Sequence, residues 1–563
     1  MKKNTKSFEW KPSEHELKIL SNAKKKYFLA SINLIKKYST EQKFFISLRY
    51  TDLNTSLEVT GSFVLTIFPD VEAGIPFKII IPETLPIGSV KYKESYGLSN
   101  ELHLKQGNNK FLINRHSVTY FNANFPSKPQ ILEGIFSNFK SAKKESNKLY
   151  RRVIIPVKDT DMIYPTSILA YDKNHIKFDI ENWDRQSSLM GLSFTSTKGM
   201  FSLLKIHGFN FHFYALEPVR SYIIDCNEKI TNKEFKRITS IIRICMAFLC
   251  GKYYRGETIY LSAKDTDFTK LVNFERLFEA PSTLSENQII NPHFFFDHYR
   301  KQDTDTQASL KEYHKMFPTE VYESLCEKCI KSPEILRTIE LIVRASSIDD
   351  PVQKGALYSV AIEALTEYLV SETPEPFKPI TNKSEAKKLI SSLMAVLDAS
   401  KSAIDFNGYT ILSKKIANIN SPTNRDKLEK PFELAKIELL PDDLEALDKR
   451  NDYLHGREPL EGGSRYDLEQ IALHLHTLIS HLILKHIGYS GHLINLPSWN
   501  LLHNKDVADY ANIDPAEIVK VLKQIDEESF NSIEEITYAK EVLLKYREIL
   551  KIEKLIKGII RIV

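Results

Sequence analysis

The period of the apolar residues changes once along this chain, and that change constrains its fold more than any other feature. Between residues 44 and 263 the apolar positions fall into short β-branched and aromatic runs. Phe44-Phe45-Ile46-Ser47-Leu48 and Leu57-Glu58-Val59-Thr60-Gly61-Ser62-Phe63-Val64-Leu65 flank a turn-forming Asp52-Leu53-Asn54, which predicts a hairpin. Phe77-Lys78-Ile79-Ile80-Ile81-Pro82 stops at a proline, and Val153-Ile154-Ile155-Pro156-Val157 has the same character. Phe209-Asn210-Phe211-His212-Phe213 alternates strictly, which places one face in a core and the other toward water. One helix is predicted inside this half. Phe235, Ile238, Ile241, Ile242, Cys245 and Phe248 recur at helical spacing behind Thr231, although the capping signal there is incomplete.

From about residue 275 onward the pattern is helical. Apolar residues at helical spacing predict helices over 334–345, 352–369, 384–399 and 467–487, with Pro374, Pro376, Pro379 and Pro422 between them. The stretch 506–563 also reads as helical, with a basic amphipathic end from 552 that is expected to pack on its own protein. The 563 residues exceed one ordinary core. The expected architecture is α+β: a β-rich N-terminal sensing or regulatory domain (1–270), a helical linker region (271–329), an all-α helical bundle (330–490) and a helical C-terminal extension (491–563).

Composition excludes several classes. Hydrophobic residues at 42% and charged residues at 26% are those of a globular chain. A net charge of +5 does not by itself argue for a nucleic-acid partner, and Lys24-Lys25-Lys26, Lys36-Lys37 and Lys143-Lys144 are local basic clusters read as solvated faces. No apolar stretch follows the first lysines and none is long enough to span a bilayer, so neither a signal peptide nor a membrane partner is expected. Five cysteines in this length point to a reducing cytoplasm rather than a disulfide framework. Cys326 and Cys329 read as two reduced thiols on a helix, since no second pair lies nearby to complete a zinc site. The sequence has no phosphate-binding glycine loop and no Gly-x-Ser-x-Gly elbow. No cofactor and no metal is expected. His474, His476, His481 and His486 share one helix, but their spacing suits a mixture of exposed and interfacial positions better than a metal site.

The chemistry is concentrated in Lys449-Arg450-Asn451-Asp452-Tyr453-Leu454-His455-Gly456. Pro441-Asp442-Asp443 suits a helix start, and Gly456, Pro459 and Gly462-Gly463 end it. On that helix Leu444, Leu447 and Leu454 fall within an arc of about 80° and are expected to be buried. Arg450 and Asn451 are expected beside that arc, with His455 on its other edge. An imidazole takes or gives a proton near neutrality, and a guanidinium holds phosphate oxygens while charge develops on them. Together they supply what cleavage of a ribose-phosphate link requires, and DNA lacks the attacking 2′-hydroxyl. Asn451 is expected to fix the phosphate or the imidazole. Glu363, on an apolar helix, is a candidate salt-bridge partner for Arg450 or Arg425.

Arg450-Asn451-x-x-x-His455 resembles the arginine, polar residue, spacer and histidine motif of HEPN domains. The segment Asn424-Arg425-Asp426-Lys427-Leu428-Glu429-Lys430-Pro431-Phe432, the following helix, and Ala361-Ile362-Glu363-Ala364-Leu365 are similar to the HEPN region of ApeA-type anti-phage proteins, over roughly 330–490. Phe8-Glu9-Trp10-Lys11-Pro12 loosely resembles the start of the N-terminal domain of those proteins. The resemblance implies a bundle that forms a homodimer or higher homo-oligomer, with two motifs meeting in one composite site. It also implies metal-independent endoribonuclease activity with a 2′,3′-cyclic phosphate product, on tRNA more than mRNA, in abortive-infection defence, with a phage-derived trigger as a further partner. The competing expectation is a non-catalytic bundle that serves only for dimerisation or partner binding.

Overall fold

The computed structural model describes residues 41–51, 58–68, 74–81, 101–114, 118–124, 130–142, 148–157, 175–180, 197–216, 221–266, 268–280, 283–284, 287–290, 317–457, 459–460, 462–503 and 560–562. The chain divides into two compact units, one of residues 1–285 and 292–330, the other of residues 286–291 and 331–563. The basic clusters at 24–26, 36–37 and 143–144, the turn at 52–54 and most of the stretch 506–563 lie outside the described residues.

The first unit is built on an antiparallel sheet with fifteen strands among the described residues. Its apolar pattern explains its pairing. Gln42–Thr51 and Glu58–Ile67 form the expected hairpin in continuous register, and Ile75–Ile81 pairs beyond them. In Phe209–Leu216, Phe211 and Phe213 are buried while Asn210 is exposed, as strict alternation requires. Rings from separated strands meet inside: Phe44, Phe111, Phe139 and Phe274 lie with centroids 5.0–6.2 Å apart.

Helix α1 (Asn232–Cys250) buries one side and much of the rest, including Phe235, Ile238, Ile241, Ile242, Cys245 and Phe248. Its cap is more complete than the sequence indicates: the Thr231 hydroxyl accepts from the Glu234 amide at 3.3 Å, and Gly251 closes the helix at φ 71°. Helix α2 (Thr319–Lys331) carries Cys326 and Cys329 as free, buried thiols. The sequence missed their companion, because Cys245 of α1 places its Sγ 3.6 Å from that of Cys329. Burial pushes the Cys245 thiol well above its ordinary range.

Two expectations need correction. The region from 271 was expected to be helical, but Leu271–Phe278 is a strand paired with Glu257–Ala263, and Thr283–Leu284 is a short strand. The reason is a hidden charge: Arg276 is fully buried by its ion pair with Glu257, so a basic residue occupies an inward position that an apolar pattern cannot reveal. At the other end, Ile560–Ile562 is not helix but a strand paired with His492–Ile494.

The second unit is helical: α3 (Pro333–Ala345), α4 (Pro351–Glu372), α5 (Lys383–Ala399), α6 (Phe406–Ala417), α7 (Asn424–Leu434), α8 (Pro441–Leu454), α9 (Arg465–His486) and α10 (Leu496–His503). Most begin on an N-cap legible in the sequence: Ser332, Asp350, Asn382, Asp405, Thr423 and Ser464 each accept from a first-turn amide. Helix α4 is central, packed by α3, α7, α8 and α9. The close approach of α8 depends on Gly355, where a Cβ would come within 2.4 Å of the Tyr453 ring. The chain is therefore α+β, with a β-rich N-terminal half and a helical C-terminal region. No helix among the described residues is long and apolar enough to cross a membrane.

Candidate active site on helix α8

Helix α8 starts as its sequence dictates. Pro441 occupies the first turn, and the Asp443 carboxylate reaches back to accept from the Leu440 amide at 3.0 Å. Its last turn closes at His455, which sits at the C-cap, and Gly456 follows in the left-handed region at φ 65°.

The face that packs is not the one the leucines indicate. Asp443, Ala446, Leu447, Arg450 and Tyr453 form the buried stripe, while Leu444 and Leu454 are only half-buried. The seam tolerates its polar members because each has a partner. Tyr453 donates its hydroxyl to the Leu468 carbonyl at 3.2 Å. Asp443, at 0% exposure, accepts at one oxygen from Leu440 and meets His474 Nδ1 of α9 at 3.0 Å with the other. Arg450 Nη1 lies 3.1 Å from Glu363 Oε1 of α4. The Glu363 partnership was one of the two candidates read from the sequence. Arg425, the other, pairs with Glu429 on its own helix instead.

Arg450 is thus inside the seam rather than beside it. Its Nε is buried without a hydrogen-bond partner, and its Nη1 makes the ion pair with Glu363. Burial lowers its pKa from the ordinary arginine value, against the opposing pull of Glu363 and then Asp448. The Glu363 side chain is 43% exposed, so the ion pair opens toward solvent at its acidic end.

His455 and Asn451 are exposed. Five residues on a helix separate Arg450 from His455 by about 140° around the axis and about 7.5 Å along it. A single chain therefore holds the guanidinium in a packed seam and the imidazole at a solvent-facing helix end. Asn451 contributes its carbonyl to the His455 amide at 3.2 Å, which fixes the backbone under the imidazole.

No family model, curated protein or solved structure matches this chain.

The pair missed at the sequence level is Asp443 with His474. His474 was weighed with its helix neighbours as a metal ligand, but its partner lies on another helix. A first-turn carboxylate on the Arg450 stripe, two turns earlier, was the available signal. Two other histidines of α9 lie inside the unit. His476 stacks on Tyr358 with ring centroids 4.9 Å apart and meets its hydroxyl at 3.4 Å, and His481 is buried. Among the described residues, no three His, Cys, Asp or Glu side chains group in a way that holds a metal ion.

Proposed function

We propose that this chain is a metal-independent endoribonuclease of the HEPN kind, with Arg450, His455 and Asn451 as its reacting groups and tRNA as its favoured substrate, acting in abortive-infection defence. One observation carries this reading. Arg450 is positioned by Glu363 in a helical seam, and the same helix ends on an exposed imidazole. The resemblance of the 424–457 segment to HEPN proteins adds to it.

The chemistry follows from the groups. One imidazole takes the proton from a ribose 2′-hydroxyl, and the 2′-oxygen attacks the adjacent phosphorus. The bond to the 5′-oxygen breaks, and that oxygen takes up a proton from an imidazolium. The products are a 2′,3′-cyclic phosphate and a 5′-hydroxyl. The guanidinium meets the charge that builds on the non-bridging oxygens. Because one chain separates Arg450 from His455, this reading requires two copies whose α8 helices face each other. Each copy then supplies His455 to the seam mouth of the other, where Glu363 already opens to solvent.

The same separation favours a second reading, a non-catalytic bundle in which Arg450 only closes the α4–α8 seam. Expressing the wild type, Arg450→Ala and His455→Ala and following host growth and RNA integrity, with purified protein assayed in EDTA, decides between them. The ribonuclease reading expects cleavage that survives EDTA, leaves cyclic phosphate ends and disappears in both variants while both remain folded. Equal cleavage by His455→Ala, or none by the wild type, returns the chain to the second reading.

A further inference from the structure

Helices α5 and α6 form a hairpin that the rest of its unit hardly covers. Only Ala386 and Leu397 are buried on α5, and α6 buries no residue at all. Helices of this length are marginal in water without a packed face, so this pair draws little stability from its own burial.

Its surface has two components. Lys383, Lys387, Lys388, Lys401, Lys414 and Lys415 are all exposed, and none makes an ion pair among the described residues. Against them stand Glu385, Asp398 and Asp405, leaving +3 on these 35 residues out of +5 for the whole chain. Two of the three carboxylates are already engaged: Asp398 accepts from the Tyr409 hydroxyl, and Asp405 caps α6 by accepting from the Gly408 amide at 2.7 Å. The second component is aromatic. Phe406 is 82% exposed, the highest value among the large apolar side chains described. Tyr409 lies one turn on, with Lys401 Nζ 5.2 Å from its ring centre.

The arrangement of apolar groups discriminates between partners. On α6, Phe406, Ile411 and Leu412 are exposed, but they point about 100–140° apart around the axis. On α6 they form no single face that a bilayer or a flat protein surface could cover, and α5 adds only the narrow pair Leu389 and Val396, exposed at 40% and 66% and about 20° apart, since an interfacial helix needs a broad apolar side. A projecting ring among exposed ammonium groups instead fits single-stranded RNA, in which a base stacks on the ring and the phosphates lie along the lysines.

We infer that the α5–α6 hairpin is an RNA-holding arm, with Phe406 as a base-stacking platform and Lys401, Lys414 and Lys415 as phosphate contacts. This rests on the ribonuclease reading only for the identity of the polyanion. It places substrate capture on a surface separate from Arg450 and His455, so an RNA loop is held by the arm while another part of the chain is cut.

The test uses the full chain carrying His455→Ala to stop cleavage, titrated into a fluorescently labelled single-stranded RNA at ~50 to ~300 mM KCl. Two further variants are compared on that background, Phe406→Ala and the triple Lys401→Gln/Lys414→Gln/Lys415→Gln, with circular dichroism to verify folding. Phe406→Ala should weaken binding about tenfold at every salt concentration. The triple variant should weaken it at least as much and make the plot of log affinity against log salt shallower by about two, three phosphate contacts at ~0.7 each. Unchanged affinity and slope in both variants overturn the inference while leaving EDTA-resistant cleavage by the wild type, and so the ribonuclease reading, untouched. Absence of RNA binding by the parent overturns it as well. So does binding of phosphatidylserine-containing vesicles that these variants abolish while RNA binding persists. If both variants behave as expected but the wild type never cleaves RNA, the arm stands and the nuclease reading falls.

Discussion

Arg450 carries its charge through a seam made of Ala446, Leu447 and Tyr453, and Glu363 is what makes that position tolerable. Because the carboxylate is 43% exposed, solvent screens the pair, and its contribution to stability is about 1 kcal/mol rather than that of a buried ion pair. Glu363→Gln should therefore lower stability by about that amount in denaturant titrations, leaving the fold intact. If Arg450 is the phosphate-holding group, Glu363→Gln should retain RNA cleavage, whereas Arg450→Lys, which keeps the charge but loses the planar fork, should lose most of it. Equal cleavage by wild type and Arg450→Lys would reduce the guanidinium to a point charge. His476 supplies a pH signature. Burial, and then the nearby Lys354 charge, lower its pKa from 6.5 to about 3. The folded state therefore disfavours the proton that the unfolded chain accepts. The associated stability is present above pH 6.5 and is lost as the pH falls from there toward 3, at up to about 1.4 kcal/mol per pH unit. His476→Gln should flatten the decline of melting temperature with acidification in the helical unit. An identical slope in both proteins would show that His476 is not the titrating group.

The elements show what a pattern of apolar residues can and cannot convey. Strand alternation in 209–213 and helical spacing in 235–248 were legible because most of their buried positions are apolar, Thr239 and Arg243 being the exceptions. The orientation of α8 was not. Its leucines at 444 and 454 mark the margin of the seam, and the centre is held by Asp443, Arg450 and Tyr453, residues that an apolar count scores as solvent-facing. The same blindness hid Leu271–Phe278, where Arg276 is buried opposite Glu257. The residues of the candidate site could be picked out because they lie within one turn and a half of sequence. The partner of Arg450, Glu363, could be named only as one of two alternatives, and His474, the partner of Asp443 on the same stripe, comes from another helix with nothing local to mark it. Gly355 is a further case, since its meaning lies in the Tyr453 ring against it. Gly355→Ala forces α8 away from α4 and should cost about 1–3 kcal/mol. If the chain cleaves RNA as proposed, this substitution should also abolish that cleavage without touching Arg450 or His455, because the seam that aims Arg450 is displaced. Wild-type stability and cleavage in that variant would mean that the ring moves aside freely.

At the scale of the molecule, each unit has its own core, and the two cores are held by different chemistry. The helical unit depends on close packing around α4. The sheet unit buries charge: Arg152 and Asp225 sit at 0% exposure with Nε to Oδ1 at 2.6 Å, the Phe268 ring lies 4.1 Å from the guanidinium carbon, and Arg151 donates to the Ile230 carbonyl at 2.8 Å. Removing one member of such a pair strands the other, at about 3–5 kcal/mol. Asp225→Asn should therefore raise hydrogen exchange in Leu149–Pro156, Ser221–Ile230 and α1, while α4 and α9 keep their protection. Gly355→Ala should do the reverse, loosening α4 and α8 and leaving the sheet strands protected. Two separate maps are expected because each substitution disturbs elements of one compact unit. Were Asp225→Asn to raise exchange equally in α4, α8 and α9, the chain would have to be treated as one cooperative body. Regulation of a nuclease by the sheet unit would then act through shared stability rather than through a separately folded domain.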